Sequence, residues 1–135
     1  MAPRKIDHIG IAVRDLELAK AFYAGSLGLK VEHEEILGDM KIAFIPVGEV
    51  NLELIECISD DGVIAKFIAK KGEGIHHIAY AVKDVSTTLE ALKAQGVKLV
   101  DEKPRQGAHG TEVAFVHPKS AFGVLTELVG KERKD

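Results

Sequence analysis

Two short stretches, "DHIGIAV" (7–13) and "HHIAYAV" (76–82), alternate in nearly the same way. In each, Ile, Tyr or Val takes every second position and His, Gly or Ala the positions between, which is the period of a β-strand. An aspartate follows each, Asp15 and Asp84, in the place of a helix cap. Behind Asp84, Val85, Leu89 and Leu92 recur at helical spacing and Gly96 stands at the stop. Behind Asp15, Leu18, Phe22 and Leu29 are expected to face inward, with Gly25 and Gly28 near the stop. The chain then returns to strands over 41–48 and 50–58, and again over 111–118 and 123–130. Between the two runs, residues 59–74 predict a connecting helix. Ser59 to Asp61 are its expected caps, Ile64, Phe67 and Ile68 its apolar stripe, and Lys66, Lys70 and Lys71 its wet side. The tail, 130–135, is expected to fray.

The repetition extends well beyond the two strands. Residues 7–31 lie over 76–100, with His8 against His77 and Asp15 against Asp84 at a common offset of 69, and Gly28 against Gly96 at 68. A strand, a helix and a run of strands, given twice, predict an α+β fold with a largely antiparallel sheet and the helices on one face. At 135 residues the chain is read as a single domain, 1–135, with copies at 6–58 and 75–130 and the connecting helix at 59–74.

Alternation assigns chemistry to one face. His8 shares its face with Gly10 and Ala12, and His77 with Ala79 and Ala81, while the bulky residues belong against the helices. A histidine followed only by small residues leaves a hollow of the kind a ligand needs. The last strands add a second match, "NLELIE" (51–56) over "VLTELV" (124–129), which aligns Glu53 with Glu127. A carboxylate inside an otherwise apolar strand is costly unless it is paired or holds a metal. Two histidines and two glutamates at equivalent points of a repeat predict a site for a borderline divalent metal such as cobalt, zinc, manganese or nickel, with two positions left open to substrate oxygens.

Composition narrows the rest. Eighteen Lys and Arg against twenty-one Asp and Glu give a net charge of −3 with both signs scattered, so no footprint for nucleic acid or a membrane surface is present. No apolar run approaches the roughly 18–20 residues of a membrane span, and "MAPRKIDHIG" is not followed by a signal-peptide core. Cys57 is the single cysteine, which fits a reducing, cytoplasmic setting; it reads as a small buried residue. His33 and His117 read as scaffold or surface.

With these residues in place, the chain resembles the vicinal oxygen chelate superfamily (glyoxalase and bleomycin resistance proteins), and within it the methylmalonyl-CoA epimerase family. The similarity rests on "DHIGIAVRDL" (7–16), "AFY" (21–23), "IAKF" (64–67), "GIHHIA" (74–79), "GAHG" (107–110) and "HPKS" with "GVLTEL" (117–128). The resemblance implies tandem βαβββ modules curved around one divalent metal, with His8, Glu53, His77 and Glu127 as its ligands. The family often has Gln where Glu53 stands. The resemblance further implies interconversion of the two C2 epimers of methylmalonyl-CoA through an enolate, an acyl-CoA partner and a homodimer. Glu127 is expected to act as one catalytic acid/base. For the other, Lys41 stands where some relatives carry Glu; Lys41 in its neutral form, a water or another group, or one base serving both faces all remain open. The loop 105–110 reads either as an anion-binding turn or as a plain turn, with His109 a candidate pocket residue. Two rival functions use the same fold: a glyoxalase-type lyase, whose relatives usually end "DPDG" where this chain has "HPKSAFG", and a non-catalytic small-molecule binder, which the few aromatic residues disfavour.

Overall fold

A computed structural model describes residues 2–131. Two compact units divide the chain: residues 8–76, and residues 77–131 together with 2–7. Among the described residues, no helix is long and apolar enough to cross a membrane.

The first unit uses β1 (Lys5–Ala12), α1 (Leu16–Lys20), β2 (His33–Leu37), β3 (Met40–Val47), β4 (Val50–Cys57) and α2 (Val63–Lys71). Strand order is β2-β3-β4-β1; β2–β3 and β3–β4 are antiparallel and β1–β4 is parallel. Asp15 caps α1 as expected, its carboxylate accepting the N–H of Leu18 at 3.1 Å. The inward positions differ from the expectation. Leu16 is buried and Ala19, Tyr23 and Leu29 pack with it on Ala43, Ile45 and Leu54, whereas Leu18 is 71% and Phe22 53% exposed. The cap fixes Leu16 as the first helical residue, so its neighbours three and seven positions on share its face. The chain then widens into a π-helical turn, Ala21–Ser26, which delivers Leu29 to the core.

The connecting helix forms at Val63–Lys71 and buries Ile64, but Gly62 and not Ser59–Asp61 occupies the cap position, with no side-chain cap bond. Ser59 donates its hydroxyl to Asp39 at 2.9 Å instead. The strand β2, "HEEIL", was not placed by the periodicity because three of its five residues are charged or imidazole. Its pairing with β3 makes it a strand.

The second unit repeats the plan with β5 (Gly74–Ala81), α3 (Val85–Ala94), β6 (Arg105–Gln106), β7 (Thr111–Val116) and β8 (Thr126–Lys131), in the order β5-β8-β7-β6. Asp84 caps α3 by accepting from Thr87 N–H at 3.0 Å, and Val85, Leu89 and Leu92 pack as their spacing predicts on Ala114, Val116 and Leu128. Gly96 ends the helical segment at φ +79°. Again one pair, β5–β8, is parallel and the others are antiparallel. Gly130 and Lys131, expected in a frayed tail, are ordered parts of β8; residues 132–135 lie outside the described residues.

Candidate functional site

The parallel pair in each unit brings histidine and glutamate together. In the first unit the register sets Gly10 opposite Glu53 and His8 opposite Asn51, so His8, Gly10 and Glu53 share a face. Nothing but hydrogen stands on Gly10, and His8 Nδ1 reaches to 3.1 Å from Glu53 Oε2. In the second unit Ala79 lies opposite Glu127, and His77 Nε2 is 2.9 Å from Glu127 Oε1. All four side chains are buried: His8 and His77 are 5%, Glu127 6% and Glu53 8% exposed.

A phenylalanine completes each set. Phe44 is the β3 neighbour of Glu53, and Phe115 the β7 neighbour of Glu127. The His77 ring stands edge-on to Phe115, with centroids 5.5 Å apart and planes at 84°. Sequence reading passed over these two residues, although the repeat signals them: "AF" recurs at 43–44 and 114–115 within matching strands.

Two buried carboxylates, each against an imidazole in an apolar wall, are an expensive arrangement without a cation. Adjacent ligands of an octahedral ion, each about 2.1 Å from it, stand about 3.0 Å apart. The 3.1 and 2.9 Å separations match that spacing. Each unit therefore carries a pair of donors, imidazole plus carboxylate, of the kind a borderline divalent metal takes.

Lys41 does not join this face. It pairs with Glu56 across β3–β4, and Glu56 Oε1 accepts the N–H of Leu16 at 2.7 Å, which fixes that face as the one under α1. Glu53 faces the other way. Glu34 also belongs to the helix side, its carboxylate 2.8 Å from Lys20 of α1. By alternation, His33 and Glu35 stand on the face of Glu53: His33 pairs with Phe44 and Glu35 with Ile42. His33, read as scaffold or surface, is a neighbour of the candidate site.

In the second unit, Arg105 stands where Glu35 stands in the first. It pairs with Val113, and its guanidinium lies 5.3 Å from the centroid of Phe115. The following turn is settled in part: Gly107 N–H donates to Thr111 O at 2.9 Å and so is not offered to an anion. Gly107 itself is required by close approach, since a Cβ there would sit 2.5 Å from Val113 Cγ1. His109 adopts a left-handed conformation, φ +57°. His117 has a local role as expected, its Nδ1 accepting from Lys119 N–H at 3.0 Å. Cys57 is half-buried, with Sγ 3.7 Å from Asp39 Oδ2.

Duplicated strand–helix–strand units, each with a buried histidine–glutamate pair on the uncluttered sheet face, define a class of paired-module α+β proteins. The family model for the glyoxalase/bleomycin resistance protein/dioxygenase superfamily matches residues 7–115, and the chain belongs to that superfamily. A Bacillus subtilis protein of uncharacterised function, YqjC, is 45% identical over 92% of this chain and 90% of its own length. The ethylmalonyl-CoA/methylmalonyl-CoA epimerase of Cereibacter sphaeroides is 37% identical over 92% of this chain and 96% of its own. A solved structure of methylmalonyl-CoA epimerase in complex with methylmalonyl-CoA and ammonium is 36% identical, covers 96% of both chains and superposes with a TM-score of 0.91.

Proposed function

We propose that the protein is a metal-dependent epimerase that interconverts the C2 epimers of methylmalonyl-CoA. The observation that carries this reading is the pair of buried histidine–glutamate contacts, His8–Glu53 and His77–Glu127, repeated at equivalent places in the two units. The likeness to named epimerases over almost the whole chain supports the substrate class. On this reading the two pairs serve one ion, cobalt before zinc, manganese or nickel, in a cytoplasmic homodimer. A divalent ion held there supplies Lewis-acid stabilisation of the negative charge that develops on the thioester oxygen.

The remaining work falls to side chains. Glu127 takes the C2 proton, which lies between a thioester and a carboxylate and is acidified by both. The apolar wall of Ala79, Val113 and Val129 keeps water from the carbanionic carbon. Arg105, cationic and on the same face as Glu127, holds the substrate carboxylate.

The test is a side-by-side assay of the metal-loaded protein. Solvent deuterium incorporation at C2 of methylmalonyl-CoA, with epimer inversion, is the expected result. Turnover of the glutathione–methylglyoxal adduct with no exchange at C2 would overturn the reading in favour of a lyase.

A further inference from the structure

Inversion at a carbon acid requires a proton to leave one face and another to arrive on the opposite face. Glu127 accounts for one face under the proposed function, and this inference rests on that reading. The structure removes Lys41 from consideration for the other, because Lys41 lies on the helix-covered side with Glu56 and Ile36.

We propose that Glu35 is the second acid/base. Three observations carry it. Cross-strand register puts Glu35 in one row with Ile42, Ile55 and Ala12, on the face that bears His8 and Glu53. The next row is His33, Phe44, Glu53 and Gly10, so Glu35 is one row along and two strands across from the proposed ligand Glu53. Two strand spacings are about 10 Å, a gap that a chelated acyl group and a glutamate arm fill between them. Side-chain contacts settle the facing independently: Glu34 reaches Lys20 on the helix side, so its neighbour Glu35 points to the other. The third observation is a route for the proton. His33 Nε2 is 3.4 Å from Glu35 Oε1, and the His33 side chain is 46% exposed against 24% for Glu35, so the imidazole links the more sheltered carboxyl to solvent.

The step balances without a further reactant. One carboxylate takes the C2 proton; the C–H electron pair becomes the C1–C2 double bond of the enolate. The other glutamate, protonated, delivers its proton to the opposite face of C2 and is left as carboxylate. The two carboxyls have exchanged protonation states, and exchange with water, through His33 at the Glu35 end, restores them.

The experiment separates exchange from inversion. Each epimer of methylmalonyl-CoA is incubated in deuterium oxide with the wild type and with Glu35→Gln, a change of nearly equal shape whose folding is verified by circular dichroism and melting. Lys41→Gln serves as the control from the other face. Glu35→Gln is expected to lose inversion by about 100-fold or more, while still exchanging the C2 hydrogen of one epimer and not of the other; Lys41→Gln inverts at the wild-type rate. Unchanged inversion in Glu35→Gln, or equal loss of exchange from both epimers, would overturn the assignment while leaving the epimerase intact. A wild type that neither exchanges nor inverts removes the proposed function, and the second base with it.

Discussion

Opposite each buried glutamate stands a residue with little or no side chain, Gly10 before Glu53 and Ala79 before Glu127. That vacancy lets each histidine lean along the sheet to its carboxylate, and a larger residue at either place would occupy the space the imidazole uses. Phe122 shows the opposite situation. It closes the turn after His117 with φ +56° and is 99% exposed, so a bulky aromatic holds a left-handed conformation without packing in return. Asparagine adopts that conformation more easily. Phe122→Asn is expected to stabilise the protein by about 0.5–1 kcal/mol, measured as a rise in the melting temperature of a few degrees; a fall would mean that Phe122 has an apolar partner.

At the scale of elements, the two aspartate caps decide where the helices begin and hence which side chains reach the core. Asp84 fixes Val85, 1% exposed, as the first residue of α3 and brings Leu89 inward one turn later. Asp84→Ala is expected to cost about 1 kcal/mol, read from denaturant unfolding as a lower midpoint at unchanged slope. Glycine at the same place should recover most of the loss, because it also tolerates the extended cap conformation. α1 is shorter and is secured differently. Lys20 lies 2.7 Å from Glu17 and 2.8 Å from Glu34 of β2, and these hydrogen bonds, Glu17 first, hold its ammonium above the ordinary lysine range. That attachment is complete below the ordinary lysine pKa and fades only as pH rises through the elevated one.

At the scale of the molecule the duplication matters most, because each unit carries a pair and the proposed ion requires both. A ligand that binds the folded state at 100 times its Kd adds about 2.7 kcal/mol to stability. Cobalt added to chelator-stripped protein is therefore expected to raise the melting temperature, with one ion bound per chain by calorimetry. His8→Ala or His77→Ala alone should abolish the rise, although each leaves the other unit's pair untouched. Two ions per chain, or a rise that survives in either variant, would show that the pairs act separately.

Much of this could be read directly. The period-2 strands and the caps Asp15 and Asp84 are local patterns, set by neighbours two to four positions away, whereas the matched histidines and glutamates are legible because the chain repeats itself at offsets of 69 and 74 residues. Leu18 was misjudged because the Asp15 cap makes Leu16 the first buried position of α1, and Phe22 because a π-helical turn changes the angular step, which no apolar spacing announces. β2 escaped notice because its strand character comes from hydrogen bonds to β3, and Glu35 and Lys41 could not be sorted for the same reason. Sequence determined the matched pattern that singles out His8, Glu53, His77 and Glu127. Only strand register, set by pairing between distant segments, decided that Glu35 shares the face of Glu53 and that Lys41 lies behind it, since shifting a strand by one residue turns every side chain to the other side.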